Sequence, residues 1–108
     1  MTVTDTYGTH AHTAQHLADL LAELLPVTFA ERDSDYFGVY FLATLADTTR
    51  IRVQSNTVPG DDGEDDLLED DHPDVSVLLI VTAPAEAQLL RTELAAVDGL
   101  TRLRSSRG

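Results

Sequence analysis

The chain has 108 residues and a formal net charge of −12 at neutral pH, with 19 acidic and 7 basic residues. This length fits one domain with a single core, and a hydrophobic share of 43% is typical of a packed globular chain. The negative charge argues against binding to nucleic acid or to an anionic membrane surface, because both are negatively charged themselves. The chain has no cysteine, which excludes disulfides, thiolate chemistry and cysteine-ligated metal centres.

No segment of the sequence predicts contact with a membrane. The longest apolar run, residues 77–81, is far shorter than the roughly 20 residues that span a bilayer. Residues 1–13 contain no basic residue and no apolar stretch, which is unlike a secretory signal or an organellar transit peptide. We therefore expect a cytoplasmic protein. All seven basic residues are arginine, and the richness in Ala, Leu and Thr suggests a bacterial source.

The first predicted element is a helix over residues 13–25, after a polar leader at residues 1–12 that we expect to be disordered. Thr13 can cap this helix, and Pro26 ends it because proline has no backbone donor. Apolar residues repeat with the helical period and predict one buried stripe. These residues are Leu17, Leu20, Leu21, Leu24 and Leu25.

Three strands are predicted next, at residues 27–31, 36–46 and 50–56. The second has the strongest strand character, and the third alternates cleanly between apolar and polar residues. A shared core face requires a hairpin in which Leu45 lies opposite Ile51, joined by a three-residue loop at 47–49. The outward face of this hairpin then carries Tyr36, Tyr40, Arg50, Arg52 and Gln54.

The most unusual feature is an acidic run at residues 61–74, which holds nine acids and no basic residue. The other 94 residues hold ten acids and seven arginines, a net charge of only −3. Residues 57–74 show no periodicity and predict a long acidic loop. Loops longer than about 12–15 residues are uncommon in compact domains and are usually functional or disordered.

The rest of the chain predicts a central strand at 75–82, a helix at 84–97 that ends at Asp98-Gly99, and a short strand at 100–104. The last strand is expected to run parallel to the central one. Residues 105–108 are expected to be disordered. The order α-β-β-β-(acidic loop)-β-α-β predicts one α+β domain with a mostly antiparallel sheet and both helices on one face.

The acidic run favours a non-enzymatic interaction protein that binds a basic protein partner, comparable in size and composition to small bacterial immunity proteins and inhibitors. Tyr and Arg are enriched among the buried anchors of protein interfaces, so the outward hairpin face is a second candidate surface. The predicted partner-binding residues are Asp61, Asp62, Glu64, Asp65, Asp66, Glu69, Asp70, Asp71, Tyr36, Tyr40, Arg50 and Arg52.

Several alternatives remain open at this stage. The acidic run is also compatible with a solvated loop, with imitation of a nucleic-acid backbone, or with a carboxylate site for a divalent cation that has a hydrolytic role. The Tyr/Arg face is also compatible with an ordinary solvated surface, or with one that the acidic run neutralises within the molecule. A homodimer through Tyr36, Tyr40 and Leu42 is the remaining alternative.

The sequence assigns no catalytic residue, no cofactor and no metal ligand. It contains no phosphate-binding loop, no dinucleotide fingerprint and no nucleophile elbow, and it lacks both Cys and Lys. His10, His12 and His16 form an H-x-H-x₃-H pattern, and two histidines four residues apart can chelate zinc. No glutamate lies between them as the H-E-x-x-H signature requires, so we interpret the pattern as a chance cluster.

Overall fold

The structure is a computed structural model that describes residues 2–25, 27–34, 38–45, 48–59, 65–67, 72–85 and 88–107. It contains two helices and eight strands within these residues. In chain order they are β1 (Val3–Thr9), α1 (Ala14–Leu24), β2 (Ala30–Ser34), β3 (Gly38–Thr44), β4 (Arg50–Ser55), β5 (Thr57–Pro59), β6 (Asp65–Leu67), β7 (Val77–Ala83), α2 (Gln88–Ala95) and β8 (Thr101–Arg107).

Six strands form one sheet in the order β2-β3-β4-β7-β1-β8, and every neighbouring pair is antiparallel. The strands β5 and β6 form a separate antiparallel pair. Helix α1 connects β1 to the edge strand β2, and α2 connects β7 to the opposite edge strand β8. Strand β8 runs parallel to β7, as expected, but β1 lies between them. The predicted α+β class is confirmed.

Both helices pack on the same face of the sheet. Leu17 and Leu21 of α1 and Leu94 of α2 are fully buried in one hydrophobic cluster. The sheet residues in this cluster are Tyr7, Phe41, Ile51, Val53, Val77, Leu79 and Val81. The opposite side of the sheet, which faces away from both helices, is called the open face below.

The prediction that residues 1–12 are disordered is wrong for β1, which lies inside the sheet between β7 and β8. Asp5 of β1 is buried on the helix side, where Arg91 of α2 donates two hydrogen bonds to its carboxylate. The Arg91 Nε–Asp5 Oδ2 distance is 2.7 Å and the Nη2–Oδ1 distance is 2.9 Å. These bonds hold the pKa of Asp5 below its usual value, against the opposing effect of burial. A charged residue is thus accommodated beside the core.

The prediction that residues 105–108 are disordered is also wrong for residues 105–107, which belong to β8. Strand β8 pairs with β1 from Thr101 to Arg107, and the register shifts between Thr6 and Tyr7. Arg91 also donates a hydrogen bond to the hydroxyl of Ser105 at 3.2 Å. The first and last strands of the chain are therefore joined to each other and to α2.

The predicted β3–β4 register is shifted by two residues. Ala43, not Leu45, lies opposite Ile51. Thr48 has a left-handed φ of 72°, and Leu45 N donates to Thr49 O at 2.8 Å, so the last backbone pair before the loop is Leu45 with Thr49 rather than Ala46 with Arg50. A shift of two preserves the face on which each side chain lies, because the side-chain period of a strand is two.

Candidate protein-binding site

Residues 57–74, called the acidic segment below, leave the sheet after β4 and return before β7. The sequence predicts a long loop here, and the structure differs in two short stretches, because β5 and β6 pair with each other, with Thr57 opposite Leu67. Strand β6 contains the backbone of two predicted site residues, Asp65 and Asp66. The other predicted acids, Asp61, Asp62, Glu64, Glu69, Asp70 and Asp71, lie outside the described residues.

Asn56 ties the two ends of the acidic segment together. Its side chain is fully buried, and Nδ2 donates to Val75 O at 2.8 Å and to His72 O at 3.1 Å. Its backbone N donates to Ser76 O at 2.9 Å. Sequence reasoning missed this residue, because its side chain binds backbone carbonyls that lie 16 and 19 residues further along the chain. The acidic segment therefore has a fixed base.

The structure brings three of the four predicted Tyr/Arg residues together on the open face. Tyr40, Arg50 and Arg52 line a shallow cavity of about 250 Å³. The fourth, Tyr36, lies outside the described residues. Strand β7 completes the cavity because Ile80 lies opposite Arg52 and Thr82 lies opposite Arg50. That β7 lines this cavity was not predicted from the sequence, because the sequence did not place β7 beside β4.

The open face is basic, in contrast to the chain as a whole. The register places four of the seven arginines on it, and no described residue of the six strands on this face is acidic. These arginines are Arg32, Arg50, Arg52 and Arg104. Burial lowers the pKa of the Arg52 guanidinium, and the nearby Tyr40 partly offsets this effect. The positive charge of these strands is therefore concentrated on one face of the sheet.

Gln54 is a second buried amide on β4, and its environment differs from that of Asn56. It is fully buried on the open side of the sheet, between Tyr40 of β3 and Leu78 of β7 in register. In the part of the chain that the structure describes, neither Nε2 nor Oε1 of Gln54 has a hydrogen-bond partner. Burying an amide without a partner costs about 1–3 kcal/mol.

Among the described residues, no group of three or more metal-ligating side chains is arranged around one point, and no helix is long and apolar enough to cross a membrane. Comparison of the chain with protein-family models, with curated proteins and with solved structures finds no match. The acidic segment and the basic open face are therefore the candidate interaction surfaces of this chain.

Proposed function

We propose that this protein is a non-enzymatic interaction protein of the bacterial cytoplasm that binds a basic protein partner through the acidic segment. The observation that carries this proposal is the position of the acids in the chain. Nine of them fall within residues 61–74, and Asn56 fixes both ends of the segment that contains them. The rest of the chain is close to electrical balance, so the attraction for a basic partner is concentrated in one region.

Fixing the base of the segment favours binding for an entropic reason. A segment that is disordered when free loses conformational freedom when it binds, and this loss lowers the affinity. The Asn56 hydrogen bonds and the β5–β6 pairing already restrain part of the segment. The concentrated negative charge also accelerates the encounter with a basic partner at low salt.

The cavity around Tyr40, Arg50 and Arg52 supplies anchors for the same interface. Arg52 of β4 lies four residues before Asn56, which directly follows this strand, and four residues of extended chain span about 13 Å. A standard protein interface covers about 800 Å² on each partner, an area wide enough to include both surfaces. Tyrosine and arginine commonly dominate the binding energy at such interfaces, while peripheral charges govern the association rate.

The test compares two variants that each lose five negative charges. The first neutralises the acidic segment through Asp61→Asn, Asp62→Asn, Glu64→Gln, Asp65→Asn and Asp66→Asn. The second neutralises five exposed acids elsewhere through Asp19→Asn, Glu23→Gln, Glu31→Gln, Asp33→Asn and Glu93→Gln. Tagged wild-type protein and both variants are used to capture partners from host extract at low salt, and bound proteins are eluted with a salt gradient.

The proposal predicts that wild type and the second variant retain the same basic protein, which salt releases, whereas the first variant does not retain it. Equal capture by the first variant would show that the acidic segment is not the contact surface. Equal loss in both variants would show that only the total charge matters, which also contradicts the proposal.

A further inference from the structure

His12 and His16 lie side by side where the first helix begins. The distance between their Nδ1 atoms is 3.3 Å, and their ring centroids are 5.0 Å apart. Thr13 accepts a hydrogen bond from His16 N at 3.1 Å and thereby caps α1, and Ala11 N donates to Thr9 Oγ1 at 3.0 Å. His12 precedes the helix rather than belonging to it, and these capping bonds hold the backbone on both sides of the pair.

A backbone contact defines which nitrogen of His12 is available as a ligand. His12 Nε2 lies 2.8 Å from Asp98 O, and a carbonyl oxygen can only accept, so Nε2 is the protonated nitrogen. In neutral imidazole the other nitrogen, Nδ1, then has the lone pair, and in the metal-free protein it accepts a hydrogen bond from His16 Nδ1–H. Metal binding therefore requires the His16 proton to move to Nε2, which leaves Nδ1 of both rings free to act as ligands. Metal-ligating histidines usually donate their second ring N–H to a carbonyl or carboxylate in this way.

The spacing of the pair matches two ligands of one metal ion. Zinc–imidazole bonds of about 2.0 to 2.1 Å across a gap of 3.3 Å give an N–Zn–N angle of roughly 104 to 111°, close to tetrahedral. If the metal lies on the line from each imidazole centroid through its Nδ1 atom, these bond lengths place the two ring centroids about 5 Å apart. The observed separation is 5.0 Å.

The pair opens into a groove of about 540 Å³ between α1 and the turn that follows α2. The groove is lined by apolar side chains and by Glu23 and Asp98. Within the described ranges no third ligating side chain completes the pair, so further coordination positions would be open to water or to a small ligand. Imidazole ligands favour zinc, copper and nickel over calcium and magnesium.

We propose that His12 and His16 form a two-histidine site for a borderline transition metal ion, of the class of Zn²⁺, Cu²⁺ and Ni²⁺. His12 and His16 each contribute Nδ1, and the Asp98 carbonyl orients the His12 ring. This site is separate from the acidic segment and does not depend on the function proposed above. The sequence pattern was interpreted above as a chance cluster. The proximity of the two rings revises that interpretation, even though only His16 lies within α1.

The test is a calorimetric titration with Zn²⁺ in the presence of excess Ca²⁺, which occupies carboxylate sites in the acidic segment. Wild type is compared with His16→Ala and with His10→Ala, a matched control from the same pattern. His16 is exposed on α1 and alanine is the best helix former, so the helix is expected to persist in His16→Ala. Circular dichroism checks this, and His16→Gln provides a second variant.

The site predicts one Zn²⁺ per chain in wild type and in His10→Ala. Loss of a residue that only orients a metal ligand lowers metal affinity about 10–100-fold. Loss of the ligand His16 itself should lower the Zn²⁺ affinity at least as much. Electron paramagnetic resonance of the Cu²⁺ form should show two imidazole nitrogens in wild type and one in His16→Ala. The proposal is overturned by equal affinity in wild type and His16→Ala, by an equal loss in His10→Ala, or by a wild-type spectrum with fewer than two nitrogens.

Discussion

Asn56 and Gln54 are two buried amides that lie on the same side of the sheet. They show how strongly the contribution of a buried polar residue to stability depends on its hydrogen-bond partners. Asn56 makes three hydrogen bonds to the backbone around the base of the acidic segment. Gln54, two residues earlier, is equally buried, but its amide has no partner among the described residues. The sequence alone could not distinguish the two, because the difference depends on which backbone atoms the fold brings close.

Replacing each amide with an apolar side chain of similar shape should therefore give opposite results. Gln54→Met removes a buried amide that has no partner in the described part of the chain, and it should raise the free energy of unfolding by about 1–2 kcal/mol. Asn56→Leu leaves buried carbonyl groups without donors and should lower it by about 2–4 kcal/mol. Urea unfolding measures both. A change of the same sign in both variants would contradict this account.

The Asp5–Arg91 pair predicts a dependence of stability on pH. The pKa of Asp5 is lowered in the folded protein, chiefly by the hydrogen bonds from Arg91. A carboxylate with a lowered pKa stabilises the fold above its unfolded value of 3.8, and this contribution is lost as the pH falls through the lower folded value.

Asp5→Asn should therefore lower the free energy of unfolding by about 2–3 kcal/mol at pH 7, since it removes the carboxylate that accepts two hydrogen bonds from Arg91. Denaturant unfolding from pH 7 down to pH 2.5 should show the difference from wild type shrinking below about pH 3.8. Asp33→Asn, at an exposed position on β2, controls for the loss of one charge. A difference that stays constant down to pH 2.5 would refute the assigned role of Asp5.

Among the helices and strands, those with a strong apolar period were predicted from the sequence, whereas the polar strand β1 was not. The helix from Thr13 and the strands around Phe41, Val53 and Leu79 follow from runs of apolar residues with a clear period. Strand β1 was missed because Thr4, Thr6 and Asp5 make it polar and Gly8 weakens its strand character. Gly8 is needed there, since a Cβ would lie 2.7 Å from Val75 Cγ1 and 2.9 Å from Leu103 Cδ1.

A substitution at Thr48, in the loop between β3 and β4, is expected to stabilise the fold. Thr48 has a φ of 72°, a region that is costly for a β-branched residue and more accessible to asparagine. Thr48→Asn should raise the free energy of unfolding by about 0.5–1 kcal/mol. Thr28→Asn, at an exposed position without a left-handed φ, should change it by less than about 0.5 kcal/mol. Thermal unfolding of both variants checks this, and a destabilised Thr48→Asn would show that the loop does not adopt the left-handed conformation.

For the molecule as a whole, positive charge is concentrated on one face of the sheet, and nearly half of the acids fall within the acidic segment of the sequence. The sequence predicted where the acids are concentrated, because that is a property of composition along the chain. It did not predict the basic open face, since Arg32 and Arg104 reach the face of Arg52 only through the pairing of six strands. It also did not predict the base at Asn56, which depends on backbone atoms about 20 residues away.

The proposed function requires that the acidic segment be the contact surface for a basic partner. The most direct test is the dissociation constant of the purified complex, measured across a range of salt concentrations for wild type and the two five-charge variants. We predict that wild type and the variant neutralised elsewhere weaken steeply with salt, because exposed charges are screened. The segment-neutralised variant should bind weakly at low salt, with a much flatter dependence. The same salt dependence of the dissociation constant in all three proteins would contradict the proposed function. The acidic segment would then contribute no more than any other acids on the surface.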